Sequence, residues 1–190
     1  LAVVTPKVAA ASQSYFGCPD AKGMELENAF GISCSRIHQS HWKNRLVSGE
    51  LMTATNADRA QYISPMSFAL LEDSGWYMTN REMVSGFKNK IKKSVGMFWG
   101  YHEGCHFLHD KCSSNKKIVA GQFCLAEQKR TMTCSPSRRQ VLMCTDGDWR
   151  SGIEKKTILK PYHYGDTYAH GQKHMDYCPA FEPYHNSDCG

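Results

Sequence analysis

Two stretches of the chain repeat apolar residues at helical spacing behind a capping signal. In the first, Val8, Ala9, Ser12 and Phe16 follow Thr5-Pro6. A threonine can accept from the free amides of a first turn, and proline's fixed φ suits the first helical position. The spacing predicts a helix from Pro6 that ends at Gly17, a residue suited to a left-handed cap. The second and clearer start is Ser64-Pro65, followed by Met66, Phe68, Ala69, Leu70 and Leu71 as a broad apolar face. Gly75 is the predicted stop, after which Trp76 and Tyr77 are expected to pack back on the core. A third amphipathic helix is predicted over residues 81–93, from Met83, Val84, Phe87 and Ile91. Residues 18–62 are rich in turn formers and read as loops with short strands or turns.

The pattern changes near residues 105–112. From there on, cysteines recur among glycines, prolines and aromatic residues, which describes a stapled, loop-rich region with short strands. The expectation is an α+β protein with a boundary in that stretch. The nine cysteines include no C-x-x-C pair, so a zinc ribbon or thioredoxin-like motif is not indicated, and the spacing suits disulfides in an oxidising compartment. An odd count leaves at least one thiol free or paired outside the chain. No stretch approaches the ~18–20 apolar residues of a membrane span. The residues after Leu1 lack a charged start and contain Pro6, so no signal peptide is read there, and a first residue that is not Met suggests a processed chain or a fragment of a longer product. The net charge of +5 comes in part from Lys88, Lys90, Lys92 and Lys93. No nucleic-acid-binding module accompanies that run, which is read as a solvated face.

Several histidines invite a metal reading. His102-Glu103-Gly104-Cys105-His106 satisfies H-E-x-x-H, with His109 following, and on a helix His102 and His106 would share a face. Gly104 is a poor helix-interior residue, and the glycine expected three positions after the second histidine is His109. His163, His170, His174 and His185 fit no standard site and read as loop residues.

The most specific signal is an ordered set of short runs. Ser40-His41-Trp42-Lys43-Asn44-Arg45 precedes Glu50-Leu51-Met52-Thr53, and then Leu71-Glu72-Asp73-Ser74-Gly75-Trp76-Tyr77. These resemble the S-H-W-x-x-R, E-L-M-T and L-x-D-x-G-W-Y runs of the leishmanolysin family of zinc endopeptidases. The segments Val4-Thr5-Pro6 to Cys18, Trp99-Gly100 to Cys112, and Met175-Asp176-Tyr177-Cys178-Pro179 extend the resemblance over nearly the whole chain, in order.

The resemblance implies that residues 1–108 are the C-terminal part of a metzincin catalytic region, mainly helical with loops. Residues 109–190 would be an incomplete cysteine-rich domain of loops and short strands. It implies Zn2+ as cofactor, with His41 as the third zinc ligand and Met52 in the methionine turn beneath the metal. His38 stands at the wrong distance from Met52 for that role. The other two histidines and the glutamate base belong to an upstream H-E-x-x-H helix, so no catalytic residue is expected within this chain, and the chain alone is expected to be inactive. The H-E-x-x-H at His102 comes after the third histidine, the wrong order for a metzincin. The resemblance also implies disulfides Cys18–Cys105, Cys112–Cys178 and Cys124–Cys144, with Cys134 and Cys189 paired to cysteines beyond residue 190 and no counterpart for Cys34.

The expected function is therefore hydrolysis of peptide bonds in extracellular proteins by a longer, secreted or cell-surface protein. Polypeptides are the expected substrates, the upstream part of the same protein is the expected partner, nucleic acid is not expected, and any membrane anchor would lie outside this chain. The alternative is an inactive adhesion or binding module that keeps the fold without catalysis. A third reading is a self-contained zinc site at His102, His106 and His109.

Overall fold

The first helix, α1 (Pro6–Phe16), begins after Thr5, which is extended, and ends at Gly17 with φ 66° and ψ 34°. That left-handed backbone is one glycine adopts without a Cβ clash. The Thr5 side chain makes no capping bond to the first-turn amides. Asp73 supplies that cap instead: its Oδ2 accepts from Lys7 N at 2.9 Å and Val8 N at 3.2 Å. The Thr5 hydroxyl, then the amides of Val8 and Lys7, hold the Asp73 carboxyl below its ordinary range. Asp73 is the last residue of α2 (Pro65–Asp73), so the end of one helix satisfies the start of the other. The α2 helix carries its own cap, Ser64 Oγ accepting from Ser67 N at 3.2 Å, with Pro65 in the first turn.

The computed structural model describes residues 1–27, 40–55, 62–80, 99–110, 112, 122–124, 128, 130–135, 140–145, 173–176, 178–184 and 189. The helix expected over 81–93, the lysine run within it, Cys34, His38, His163, His170 and His185 lie outside the described residues. Among the described residues, no helix is long and apolar enough to cross a membrane.

Two short strands, β1 (Ala2–Val3) and β2 (Met24–Glu25), pair antiparallel and flank α1. A five-residue helix, α3, spans Cys105–His109. Strands β3 (Met132–Cys134), β4 (Val141–Thr145) and β5 (Ala180–Pro183) form an antiparallel sheet in that order. The architecture is α+β.

Helices α1 and α2 pack together, and Val8, Tyr15 and Phe16 of the first and Met66 and Ala69 of the second are buried in one cluster. The same buried cluster continues through Phe107, Leu108, Cys112, Phe123, Met175 and Cys178. Phe16 stacks on Phe107 with ring centroids 6.1 Å apart, and Phe107 stacks on Phe123 at 5.8 Å. Burying each ring contributes about 1.5–3 kcal/mol. The stack leaves no room beside Gly100, whose φ is +74° and where a Cβ would come within 2.7 Å of the Phe107 ring and 2.9 Å of the Phe16 ring.

Trp76 and Tyr77 do not pack back on this core. Trp76 is 84% exposed and Met78 fully exposed, with Tyr77 and Leu71 also at the surface. Gly75, at φ +72°, turns the chain outward at the end of α2, and Ser74 Oγ holds the turn by accepting from Trp76 N at 3.2 Å.

Disulfides join Cys18 to Cys105, Cys112 to Cys178, Cys124 to Cys144 and Cys134 to Cys189. The last corrects the expectation that Cys134 and Cys189 reach beyond residue 190. Cys134 ends β3 and Cys189 follows β5, and the three-stranded sheet brings their Cα atoms to 5.7 Å, within the span a disulfide closes.

Candidate metal centre

His41 begins a short extended segment held on both sides. Glu27 N donates to His41 O at 2.9 Å, and Lys43 N donates to Glu25 O at 2.9 Å. On the opposite side Trp42 N donates to Met52 O at 2.9 Å. Trp42 thus bridges Leu26 in the antiparallel sense and Thr53 in the parallel sense. These bonds fix the backbone of His41 laterally beside that of Met52.

A second set of bonds pins the Met52 turn. The buried Glu50 carboxylate accepts from Ser64 N at 2.9 Å and from Ser67 Oγ at 2.5 Å through Oε1, and from Met52 N through Oε2. Ser67 Oγ in turn accepts from Trp42 Nε1 at 2.7 Å. The α2 helix therefore orients both the tryptophan after His41 and the glutamate before Met52. Thr53 Oγ1 closes the turn by donating to Glu50 O at 2.7 Å. The Met52 side chain itself is 40% exposed.

The His41 side chain is half-buried. Its Nδ1 is buried and has no hydrogen-bond partner among the described residues. An uncompensated buried nitrogen of this kind costs about 1–3 kcal/mol, which a ligand or an outside polar group would remove. An imidazole with an unspent nitrogen fits a zinc ligand. Among the described residues, no three metal-ligating side chains gather in one place.

Beneath the segment lies a buried ionic cluster that the sequence reading missed. Lys43 Nζ lies 3.2 Å from Glu27 Oε1 and 2.6 Å from Asp176 Oδ1, and Arg45 Nε lies 3.2 Å from Asp176 Oδ2. All four side chains are at most 2% exposed. The Arg45 guanidinium also donates to Phe107 O at 3.0 Å and Leu108 O at 3.1 Å. A partial signal was present: Lys43 follows Trp42, Arg45 precedes Leu46-Val47, and Asp176 lies between Met175 and Tyr177-Cys178. Charges in such company are buried only when paired.

His174 lies in a 3-10 turn, Lys173–Met175, rather than an irregular loop. Burial lowers the His174 imidazole from its ordinary value of 6.5, with Glu27 opposing the shift and Lys43 adding to it. His174 faces a cavity of about 140 Å³ shared with Asn44, Thr55 and Glu182.

The H-E-x-x-H run does not form a helical pair. His102 has φ 56° and Gly104 has φ 82°, so α3 begins only at Cys105, after His102. His102 packs edge-on to Tyr101, with ring centroids 4.3 Å apart. His106 Nδ1 lies 2.9 Å from Asp110 Oδ2 at the surface.

Comparison with known proteins bears on the whole chain. The family described as leishmanolysin matches residues 2–190. A leishmanolysin of Leishmania chagasi is 31% identical over 184 residues, 95% of this chain and 27% of the relative. A leishmanolysin-like peptidase of Caenorhabditis elegans is 34% identical over 120 residues, 62% of this chain and 16% of the relative. One of Drosophila melanogaster is 33% identical over 150 residues, 75% of this chain and 20% of the relative. The chain thus spans about a quarter or less of the length of these curated relatives. With the family match running from residue 2 to residue 190, the chain belongs to the leishmanolysin family.

Proposed function

We propose that this chain is the later portion of a zinc-dependent endopeptidase that hydrolyses peptide bonds of extracellular proteins. In this reading His41 is the third metal ligand and Met52 the residue of the methionine turn. Residues 1–108 complete the metzincin catalytic region, and 109–190 form the cysteine-rich region. The two remaining histidines and the glutamate base are supplied from upstream. Zinc, when bound, would polarise the peptide carbonyl and lower the pKa of a water molecule.

The observation that carries the reading is the bond from Trp42 N to Met52 O beside an imidazole with an unspent Nδ1. The chain's own residues do the positioning. Trp42 and Lys43, directly after the histidine, tie its segment to Met52 and to Glu25, and Glu50 fixes the turn by three acceptor contacts. One histidine cannot hold a catalytic zinc, so the 190-residue chain alone is inactive. The disulfides fit secretion or display at the cell surface.

The test is His41→Ala in a protein that includes the upstream part. Chelator-sensitive peptidase activity is expected to disappear, and Met52→Leu to lower it only modestly. Full activity in His41→Ala removes the ligand assignment and leaves the adhesion-module alternative in its place.

A further inference from the structure

We propose that Asp176, far along the chain, is a positioning residue for His41, acting through Lys43 and Arg45. The inference rests on the metal-ligand reading of His41. Its geometric basis is a chain of direct contacts. Asp176 receives Lys43 Nζ on Oδ1 at 2.6 Å and faces Arg45 Nε with Oδ2 at 3.2 Å. Glu27 grips the same segment at three points. Its amide donates to His41 O, its Oε1 faces Lys43 Nζ, and its Oε2 accepts from Asn44 N at 3.2 Å. Residues 41, 43, 44 and 45 are therefore all held, and Asp176 ties that grip to the cysteine-rich region. The neighbouring residue adds to it, since Asn44 Nδ2 donates to Met175 Sδ at 3.0 Å.

The placement of Asp176 is itself built. Its backbone is left-handed, at φ 51°, a conformation aspartate and asparagine adopt more readily than most residues. Two residues on, Cys178 is bonded to Cys112, which anchors the turn covalently. A buried cluster of this kind contributes less to stability than its contacts suggest, because desolvation opposes the attraction. Its effect is on geometry: two buried cations on the histidine's own segment have one place to sit. Supporting residues around a metal ligand commonly set metal affinity by about 10–100-fold.

The test measures the dissociation constant for Zn2+ by competition with a chromophoric chelator, together with the melting temperature of the metal-free protein. It uses the full-length protein with disulfides formed. Asp176→Asn keeps the backbone preference and removes the charge, and is expected to weaken zinc binding about tenfold. The double variant Lys43→Met with Asp176→Asn removes a buried cation along with the anion. Because it also takes the Lys43 partner from Glu27, zinc affinity is read well below each variant's own melting temperature: weak binding by the folded protein is expected, which a merely stabilising role would not produce. Should Asp176→Asn fail to fold, the double variant carries the test. Wild-type zinc affinity in the folded variant overturns the inference. His41→Ala separates the two readings. If it leaves zinc affinity unchanged, the ligand assignment fails and this inference with it. If it abolishes binding while the Asp176 variants bind normally, the positioning role alone fails.

Discussion

The segment at residues 40–55 and the sheet β3–β5 are held by different physics. The first is fixed by buried non-covalent polar contacts: Trp42 on Ser67, Ser67 on Glu50, Glu27 on Lys43, Asp176 on Lys43 and Arg45. The second has an exposed edge strand, β3 (Met132–Cys134), beside strands that bury Leu142, Cys144 and Ala180, and it is closed by the disulfides Cys124–Cys144 and Cys134–Cys189. Covalent staples limit how far a chain can open but leave side chains free to adjust. Buried charge fixes direction as well as distance, because any slip leaves an ion unpaired. The region proposed to carry the metal ligand uses the more exacting device.

That contrast can be broken in four places. Arg45→Ala should have the largest effect, about 3–5 kcal/mol of stability, since it strips a partner from buried Asp176 and leaves two buried carbonyls without their donor. Denaturant unfolding with disulfides intact measures it, and a loss below about 1 kcal/mol would place the cluster with surface ion pairs. Replacing both Cys134 and Cys189 by serine should cost about 2–4 kcal/mol. Amide exchange should then quicken in β3 and β4 but not at Trp42 or Lys43; acceleration at those two amides would show that the regions are not separately held. Glu50→Gln should cost about 1–3 kcal/mol, because one carbonyl oxygen cannot replace two carboxylate oxygens, and the Met52 amide should exchange faster. The smallest effect concerns pH. The folded Asp73 carboxyl lies below its ordinary 3.8, so its stabilisation is complete above that value and fades as pH falls through the folded value. Asp73→Asn should remove that part of the acid dependence, read as a flatter unfolding midpoint below about pH 4, with the region above unaltered in shape.

Both helices were legible because their signals are local. Pro6, Gly17, Ser64 and Pro65 act within one turn of where they stand. A contact whose partner is remote in the chain leaves no local signal. Thr5 looked like the cap of α1, but the carboxylate that reaches the first-turn amides comes from Asp73 at the end of another helix. Trp76 and Tyr77 looked like core by composition, and a glycine turn decided otherwise. The H-E-x-x-H letters at His102 say nothing of the left-handed residues that keep them off a common helix. Cysteine spacing could not place Cys134 beside Cys189, because strand order brings them together. His41 and Met52 were legible only as members of a resemblance; the sequence pattern gave no hint that Glu50 and Glu27 hold their segments.

The bond from Asn44 to Met175 joins residues 131 positions apart. A chain emerging at about 5–20 residues per second completes the first roughly 7–26 seconds before the second. During that interval the aspartate that Lys43 and Arg45 meet has not yet been synthesised. Lys43 and Arg45 therefore leave the ribosome before their aspartate exists, and a nascent chain arrested before Asp176 holds His41 only through the contacts of residues 25–27 and 52.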